Sequence, residues 1–175
     1  MPQLTCLTPL GEVTVSEEDG MIVALDWGRG RDQARTPLLL RAIAQLQDYF
    51  DNPAAGFDLP LAPHGSAFQR RVWDALRAIP VGRVRSYGDL ARDLGTSARA
   101  VGQANGANPI PLLIPCHRVL AAGGALGGYS GGDGPPTKLW LLNHERRLRS
   151  DQAAADQSEL PLALSGPGFR GTTSP

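Results

Sequence analysis

The sequence predicts an α/β protein of the α+β type, in which a small unit of strands and one helix precedes a mainly helical unit. Two observations lead to this fold class. Apolar residues in the first 60 positions occur first in short strand-like runs and then at helical spacing. After Ser66, hydroxyl caps and glycine stops mark out a series of short helices. The 175 residues suffice for one domain or a small pair with a buried core.

Residues 1–62 are predicted to form the N-terminal unit. Its strands are Glu12–Val15 and Met21–Trp27, which have the apolar and β-branched content of strands. A helix is expected from Thr36 to Phe50, and Phe57–Leu59 is predicted as one more strand. The apolar residues that define the helix are Leu39, Ile43, Leu46 and Phe50. Because no constellation of reactive groups occurs here, we expect this unit to be structural.

Residues 63–150 are predicted to form the second unit, which contains a helix-turn-helix. Ser66 and Gln69 make a capping box that starts a helix. Ser86 caps a second helix, Tyr87–Leu94, which Gly95 stops, and Ser97 starts a third that ends near Asn105. Two short helices joined by a glycine turn are typical of DNA-binding proteins, but also of bundles that bind nothing. The pattern by itself leaves both interpretations open.

The distribution of charge favours DNA binding over a helical bundle that binds nothing. Residues 1–64 carry a net charge of −5, from four arginines and nine acidic residues. Residues 65–150 carry +7, from eleven arginines, one lysine and five acidic residues. A basic segment beside an acidic one is typical of proteins in which one part meets nucleic acid.

The third predicted helix has an unusual face of small residues, namely Ala98, Ala100, Gly102 and Ala104, with Arg99 as its long cation. A helix that reads the major groove usually presents several arginine, asparagine or glutamine side chains to base edges. Small residues instead permit close approach of the backbone, as a helix in the minor groove requires. Arg99 is then expected to enter the base stack and fill the gap left by an extruded base.

The segment around Cys116 carries the reactive groups. The apolar run Leu112–Ile114 is followed by Pro115, Cys116, His117 and Arg118. A cysteine next to a histidine is by itself compatible with a buried structural thiol as well as with a nucleophile. The glycine-rich loop 121–134 lacks the spacing of a phosphate-binding loop, and its Tyr129 and Ser130 suit the wall of a small pocket.

Six blocks of sequence together resemble the methylated-DNA–protein-cysteine methyltransferases, the O6-alkylguanine-DNA alkyltransferases of direct DNA repair. They are Phe68–Trp73, Ser86–Gly88, Arg99–Gly102, Ile114–Val119, Gly128–Gly132 and Leu141–Glu145. The resemblance covers residues 66–149, and more loosely residues 8–60, for which it implies a small ribonuclease-H-like domain. It also implies single-turnover transfer of an alkyl group from O6-alkylguanine to Cys116, with O4-alkylthymine as a further candidate substrate.

The resemblance implies a role for each residue of the site. Cys116 is the nucleophile, His117 its base acting through a water, and Glu145 the group that orients His117. Tyr129 assists the departing guanine, Ser130 contacts its O6, and the carbonyl of Val119 accepts from its exocyclic amine. Asn108 braces the turn before the cysteine segment, and Arg118 is expected to be structural. On the DNA side, Arg99 is the intercalating residue, Tyr87 presses on the phosphate of the flipped nucleotide, and Ala98, Ala100 and Gly102 lie in the minor groove.

The expected partner is double-stranded DNA that contains O6-alkylguanine, bound through its minor groove with the damaged base flipped out. We expect a cytoplasmic monomer without cofactor, metal, membrane contact or obligate protein partner, since two cysteines and no secretion signal indicate a reducing compartment. Cys6 is expected to be a buried structural thiol, and residues 151–175 a disordered tail.

Three other functions compete with alkyl transfer. A related protein that senses alkylated DNA without reacting would lack the reactive cysteine, so Cys116 argues against it. A transcription regulator would need a dimer or effector module, and none is evident in the first 64 residues. A cysteine hydrolase would explain Cys116, His117 and Glu145, but it would leave Arg99 and its helix unexplained.

Overall fold

The N-terminal part of the computed structural model is a three-stranded antiparallel sheet with one helix packed against it. The strands β1 (Gln3–Thr8), β2 (Gly11–Glu18) and β3 (Met21–Trp27) pair in the order β1-β2-β3. Helix α1 (Pro37–Asp51) packs against β1 and β2. The structure describes residues 1–158, with side chains for residues 1–147. Both predicted strands and the predicted helix are confirmed.

Local sequence explains where these elements turn and begin. Asp19 and Gly20 both have positive φ, 51° and 74°, which suits the tight hairpin between β2 and β3. Thr36 caps α1, because its hydroxyl accepts a hydrogen bond from the backbone N–H of Leu39. The buried face of α1 differs slightly from the prediction: it consists of Leu39, Ala42, Leu46 and Tyr49.

The predicted strand at Phe57–Leu59 is wrong. The backbone N–H of Asp58 donates to the side-chain oxygen of Gln45, and its carbonyl accepts from Gln45 and Arg41. These side chains of α1 satisfy the backbone groups that a neighbouring strand would otherwise satisfy. Within the described residues, the segment that follows α1 pairs with β3 only at Leu61, which forms an isolated bridge with Ile22.

The predicted helices after Ser66 are confirmed. Helix α2 (Ala67–Arg77) begins with the complete capping box of Ser66 and Gln69. Helix α3 (Tyr87–Leu94) is capped by Ser86 and ends at Gly95, whose φ of 67° is left-handed. Helix α4 (Ala98–Gly106) is capped by Ser97 and packs against both α2 and α3. The helices α3 and α4, with the turn between them, form the predicted helix-turn-helix.

A short parallel strand pair connects the helix-turn-helix to the cysteine segment. Strand β4 (Arg85–Ser86), directly before α3, pairs with β5 (Val119–Leu120), directly after Cys116–Arg118. The start of α3 is therefore held by backbone hydrogen bonds beside the reactive thiol.

The last helix, α5 (Pro135–Ser158), begins at the predicted prolines and runs past Ser150. Disorder was expected from residue 151, but residues 151–158 are helical. The run Ala153–Ala155 favours this, because alanine has the highest helix propensity of the residue types. The remainder of that predicted tail, residues 159–175, lies outside the described residues. Among the described helices, none is long and apolar enough to span a membrane.

Buried apolar residues from both predicted units belong to one continuous core. Leu25 of β3 also donates its backbone N–H to the carbonyl of Pro109, at 2.9 Å. The boundary between residues 62 and 63 therefore stays a prediction.

Candidate active site

The cysteine segment is held in an irregular conformation by the side-chain amides of buried Asn105 and half-buried Asn108. Cys116–Arg118 form a single 3₁₀ turn between the apolar residues 110–114 and β5. Asn108 donates to the carbonyl of Ile114 at 2.9 Å and accepts from the N–H of Ile110 at 3.0 Å. Asn105 of α4 donates to the carbonyl of Cys116 at 3.3 Å. Helix α4 of the helix-turn-helix and the turn that follows it thus fix the backbone that carries the thiol.

Cys116 lies at two cavities, of about 180 Å³ and about 500 Å³. Both are also lined by Asn105, Gly106, Tyr129 and Ser130, so the glycine-rich loop forms a wall of each, as predicted from the sequence. The smaller cavity is completed by Leu25, Asp26 and Trp27 at the end of β3. The larger one is bounded by Tyr87 and Gly102 of the helix-turn-helix.

The buried carboxylate of Glu145 accepts hydrogen bonds from three side chains. The Oε1 atom of Glu145 lies 2.7 Å from His117 Nε2 and 2.8 Å from Arg118 Nη2. It also accepts from the hydroxyl of Tyr49, at 2.8 Å. Arg118 Nε donates to Oε2 at 2.9 Å, so the guanidinium binds the carboxylate through two nitrogens. Arg118 is therefore the counter-ion of Glu145 as well as a structural residue.

This environment keeps Glu145 ionised and orients His117. Burial would raise the pKa of Glu145, but the hydrogen bonds and charges of His117 and Arg118 outweigh it and hold that pKa well below its usual value. An ionised carboxylate only accepts hydrogen bonds, so His117 Nε2 carries the proton in this contact. The other nitrogen, Nδ1, is then the basic one, and it is buried with no hydrogen-bond partner in the described part of the chain.

The thiol of Cys116 is buried as well. Burial raises its pKa, while a hydrogen bond from Asn108 and the positive charge of Lys138 oppose that rise. Lys138 itself is fully buried, with its Nζ 2.6 Å from the carbonyl of Val119 and 3.4 Å from that of Gly128. Burial lowers the pKa of Lys138, and the charge of Cys116 opposes this shift. The cation and the thiolate therefore stabilise each other.

Unpartnered polar atoms concentrate at this site. Within the described residues, four buried side-chain nitrogen or oxygen atoms have no hydrogen-bond partner: Trp27 Nε1, Asn105 Oδ1, His117 Nδ1 and the Tyr129 hydroxyl. Three of these residues line the smaller cavity, and the fourth is adjacent to Cys116. Since a buried unsatisfied polar group costs about 1–3 kcal/mol, such a cluster indicates a site that is completed by a polar ligand or solvent.

The residues predicted to bind DNA lie on one side of this pocket. Ala98 and Arg99 are exposed at the start of α4, and Ala100 and Gly102 are half-buried further along it. A Cβ added at Gly102 would meet nothing closer than 4.0 Å, so packing within the protein does not require glycine there. The Tyr87 hydroxyl accepts from Asn105 at 3.4 Å.

The structure brings most of the predicted site residues together. Cys116, Tyr129 and Ser130 share the cavities, and Glu145 contacts His117. The carbonyl of Val119 accepts a hydrogen bond from Lys138, and its oxygen keeps one further lone pair. The side chains that sequence reasoning missed are Tyr49, Trp27, Asn105 and Lys138. No local pattern marks them, because their contacts with the site form only in the folded chain.

No cluster of three or more metal-ligating side chains occurs in the described part of the chain. The expectations of no metal and no cofactor stay predictions.

Comparison with known sequences gives consistent matches. The family model described as "6-O-methylguanine DNA methyltransferase, DNA binding domain" matches residues 67–147. The constitutive methylated-DNA–protein-cysteine methyltransferase of Bacillus subtilis is 43% identical over 155 residues, which cover 81% of this chain and 93% of that protein. The methylated-DNA–protein-cysteine methyltransferase of Salmonella typhimurium is 44% identical over 161 residues, with the same shares covered.

Solved structures agree with these sequence matches. Mycobacterium tuberculosis OGT in complex with DNA superposes with a TM-score of 0.76 at 38% identity, covering 84% of this chain and 94% of that chain. An O6-methylguanine DNA methyltransferase from Methanococcus jannaschii superposes with a TM-score of 0.61 at 25% identity, covering 98% of this chain and 99% of that chain. With relatives above 40% identity matched over nine-tenths of their length, the chain belongs to the methylated-DNA–protein-cysteine methyltransferase family.

Proposed function

We propose that this protein repairs DNA by direct reversal, transferring the alkyl group of O6-alkylguanine irreversibly to its own Cys116. Membership of the family supports the reaction class. The observation that carries the assignment to Cys116 is its position on two cavities, directly before a histidine that is oriented by an ionised glutamate. A thiol with a base and a group that orients the base is the arrangement of an activated nucleophile.

The reaction begins with removal of the thiol proton. His117 Nδ1 takes up that proton, directly or through a water, and Glu145 stabilises the resulting imidazolium. The positive charge of Lys138 favours the thiolate that remains. Activation thus uses groups that are already in place before the substrate arrives.

The thiolate sulfur then forms a bond to the alkyl carbon, and the bond from that carbon to guanine O6 breaks. The electron pair of the broken bond stays with guanine, which takes up one proton. We assign the delivery of this proton or hydrogen bond to the Tyr129 hydroxyl, which burial keeps protonated by raising its pKa. Ser130 contacts O6, and the Val119 carbonyl accepts from the exocyclic amine. The thioether has no ready leaving group, so each molecule acts once.

DNA contacts follow from the face of α4. The backbone at Ala98, Ala100 and Gly102 approaches the minor groove, and Arg99 occupies the gap in the base stack. Tyr87, at the edge of the larger cavity, presses on the phosphate of the flipped nucleotide. Base flipping is required because the alkylated O6 cannot meet a thiol inside the duplex.

We also infer a cytoplasmic location. Both cysteines, Cys6 and Cys116, are free and buried in the structure, and the reaction requires a reduced thiol.

The test is intact mass spectrometry after incubation with an excess of duplex DNA containing O6-methylguanine, followed by peptide mapping. We expect a gain of one methyl group, on the peptide that contains Cys116, and no further gain with time. Cys116→Ala should gain none and should still bind the damaged duplex.

Cys6→Ala is the matched control, since Cys6 is the other buried free thiol and lies in β1, away from the cavities. It should be methylated like the wild type. Binding of the damaged duplex without any gain in mass would contradict alkyl transfer and favour lesion sensing.

A further inference from the structure

Tyr49 connects the N-terminal sheet-and-helix region to the catalytic carboxylate. Its hydroxyl donates to Glu145 Oε1 at 2.8 Å, although the two residues are 96 positions apart in sequence. Oε1 is the oxygen that His117 Nε2 contacts at 2.7 Å. Tyr49 and His117 therefore share one acceptor atom.

The Tyr49 side chain is fixed in this position by its surroundings. Its ring is buried and lies 5.2 Å from the rings of Phe50 and Phe57. The backbone carbonyl of Tyr49 accepts from His144 Nε2 at 2.9 Å. Two consecutive residues of α5, His144 and Glu145, thus hold one residue of α1 through its backbone and its hydroxyl. Burial and the charge of Glu145 raise the pKa of Tyr49, so the hydroxyl remains a donor.

We propose that Tyr49 is a positioning residue for alkyl transfer, whose hydroxyl, through its hydrogen bond to Oε1, sets how strongly Glu145 holds the proton of His117. This inference rests on the proposed function. Tyr49 touches neither the substrate nor Cys116, and it acts through Glu145.

The Tyr49 hydroxyl affects how the negative charge on Oε1 is shared among its hydrogen-bond donors. A hydrogen bond from Tyr49 withdraws some of that charge, which weakens the attraction between Oε1 and a protonated His117. Without the hydroxyl, the carboxylate favours the imidazolium more strongly. A ring that already carries protons on both nitrogens cannot accept the proton of Cys116 at Nδ1, so we expect transfer to require a higher pH without the hydroxyl.

Among the described residues, two titratable or charged groups besides Tyr49 face the carboxylate. They are His117 and Arg118, both in the 3₁₀ turn after Pro115. Tyr129 also acts electrostatically on Tyr49. The substitution Tyr49→Phe leaves all of these groups unchanged and keeps the aromatic contacts. It leaves Oε1 with two donors, so it isolates the effect of the hydroxyl.

The experiment measures the single-turnover rate constant of methyl transfer from a duplex containing O6-methylguanine, between about pH 5.5 and pH 9. For Tyr49→Phe we expect the fall in rate at low pH to begin up to about one unit higher than in the wild type. The rate should be about tenfold lower near pH 6 and within about twofold of the wild type near pH 8.5. The dissociation constant for the duplex should not change, because Tyr49 is buried.

Thr36→Ala is the matched control in the same helix. It removes the hydroxyl that caps α1 and should cost about 1 kcal/mol of stability, but Thr36 has no contact with Glu145. Its pH profile should coincide with that of the wild type. A Tyr49→Phe profile parallel to the wild-type profile, whatever its height, would overturn the inference.

A second substitution tests the opposite direction. Replacing Tyr49 alone with 3-fluorotyrosine gives a more acidic phenol, which donates more strongly to Oε1. The fall in rate should then begin at lower pH than in the wild type, and an unmoved or upward-shifted profile would contradict the inference even if Tyr49→Phe did not fold. Absence of transfer by the wild type would instead refute the proposed function, so the two failures are distinguishable.

Discussion

At the scale of single residues, Glu145 is the group on which the buried polar contacts converge. It accepts from Tyr49, His117 and Arg118, and it comes from an helix far along the chain from all three. A buried ion pair of this kind contributes little net stability, but breaking it leaves the partner charge unpaired. The orientation of His117 and the stability of the fold therefore depend on the same carboxylate.

We expect Glu145→Gln to lower the free energy of unfolding by about 3–5 kcal/mol at pH 7, because Arg118 is left buried without its counter-ion. Glu12→Gln, which breaks an exposed ion pair with Arg29, should cost less than about 1 kcal/mol. Urea unfolding of the three proteins measures both differences.

The stability difference between the wild type and Glu145→Gln should also change with pH in a defined direction. The pKa of Glu145 is depressed in the folded protein, so its stabilisation is fully present above the unfolded pKa of about 4.3 and is lost as the pH falls below it. The difference in stability between the wild type and Glu145→Gln should shrink between about pH 5 and pH 3. A difference that stays constant over this range would show that the carboxylate is not held ionised.

At the scale of elements, the glycine-rich loop packs against Trp27 at the end of β3. A Cβ added at Gly131 would lie 2.6 Å from Trp27 Nε1 and 2.9 Å from the ring of Tyr129. The absence of a side chain at Gly131 lets the loop backbone pack against the indole. The loop that carries Tyr129 and Ser130 is thus positioned by a residue of the N-terminal sheet.

We expect Gly131→Ala to lower the free energy of unfolding by about 1–3 kcal/mol, because the indole or the loop must move. Gly128→Ala is the control in the same loop, since a Cβ there meets nothing within 4 Å, and it should change stability by less than about 0.5 kcal/mol. Urea unfolding followed by tryptophan fluorescence measures both, and equal effects would mean that the contact with Trp27 does not constrain the loop.

At the scale of the whole molecule, the site is built from both ends of the chain. Tyr49 and Trp27 come from the N-terminal region, and Cys116, Tyr129 and Glu145 from the C-terminal one. Buried apolar residues of the two regions form one core. The matched DNA-binding family model covers residues 67–147. Residues of this region therefore depend on contacts with Tyr49 and Trp27, which lie outside the match.

We expect a fragment of residues 63–175 to lose the cooperative thermal transition of the whole chain. Removing α1 and the sheet removes the hydrogen bond from Tyr49 to Glu145 and that from the Leu25 N–H to the Pro109 carbonyl, together with the N-terminal share of the apolar core. Circular dichroism melting of the fragment and the whole chain tests this. A fragment that melts at the same temperature would mean that the second unit folds independently.

Several helix ends, two strands and the family could be predicted from the sequence without the structure. The helix starts at Ser66, Ser86 and Ser97 and the stop at Gly95 could be predicted because caps act on their own backbone within a few residues. Strands β2 and β3 could be predicted from apolar and β-branched content, and the family from six ordered blocks of sequence. The strand expected at Phe57–Leu59 failed because side chains of α1 satisfy Asp58, which no local pattern reveals.

The contacts among the polar groups of the site became visible only in the folded structure. The sequence put His117 beside Cys116, but it could not show that Arg118 and Tyr49 also bind Glu145, or that Lys138 is buried against Val119. Nor could it show that Trp27 supports the loop that walls the pocket. Such contacts join residues many positions apart, and their energies depend on burial and on distances of a few ångströms. Local sequence patterns carry information on neither quantity.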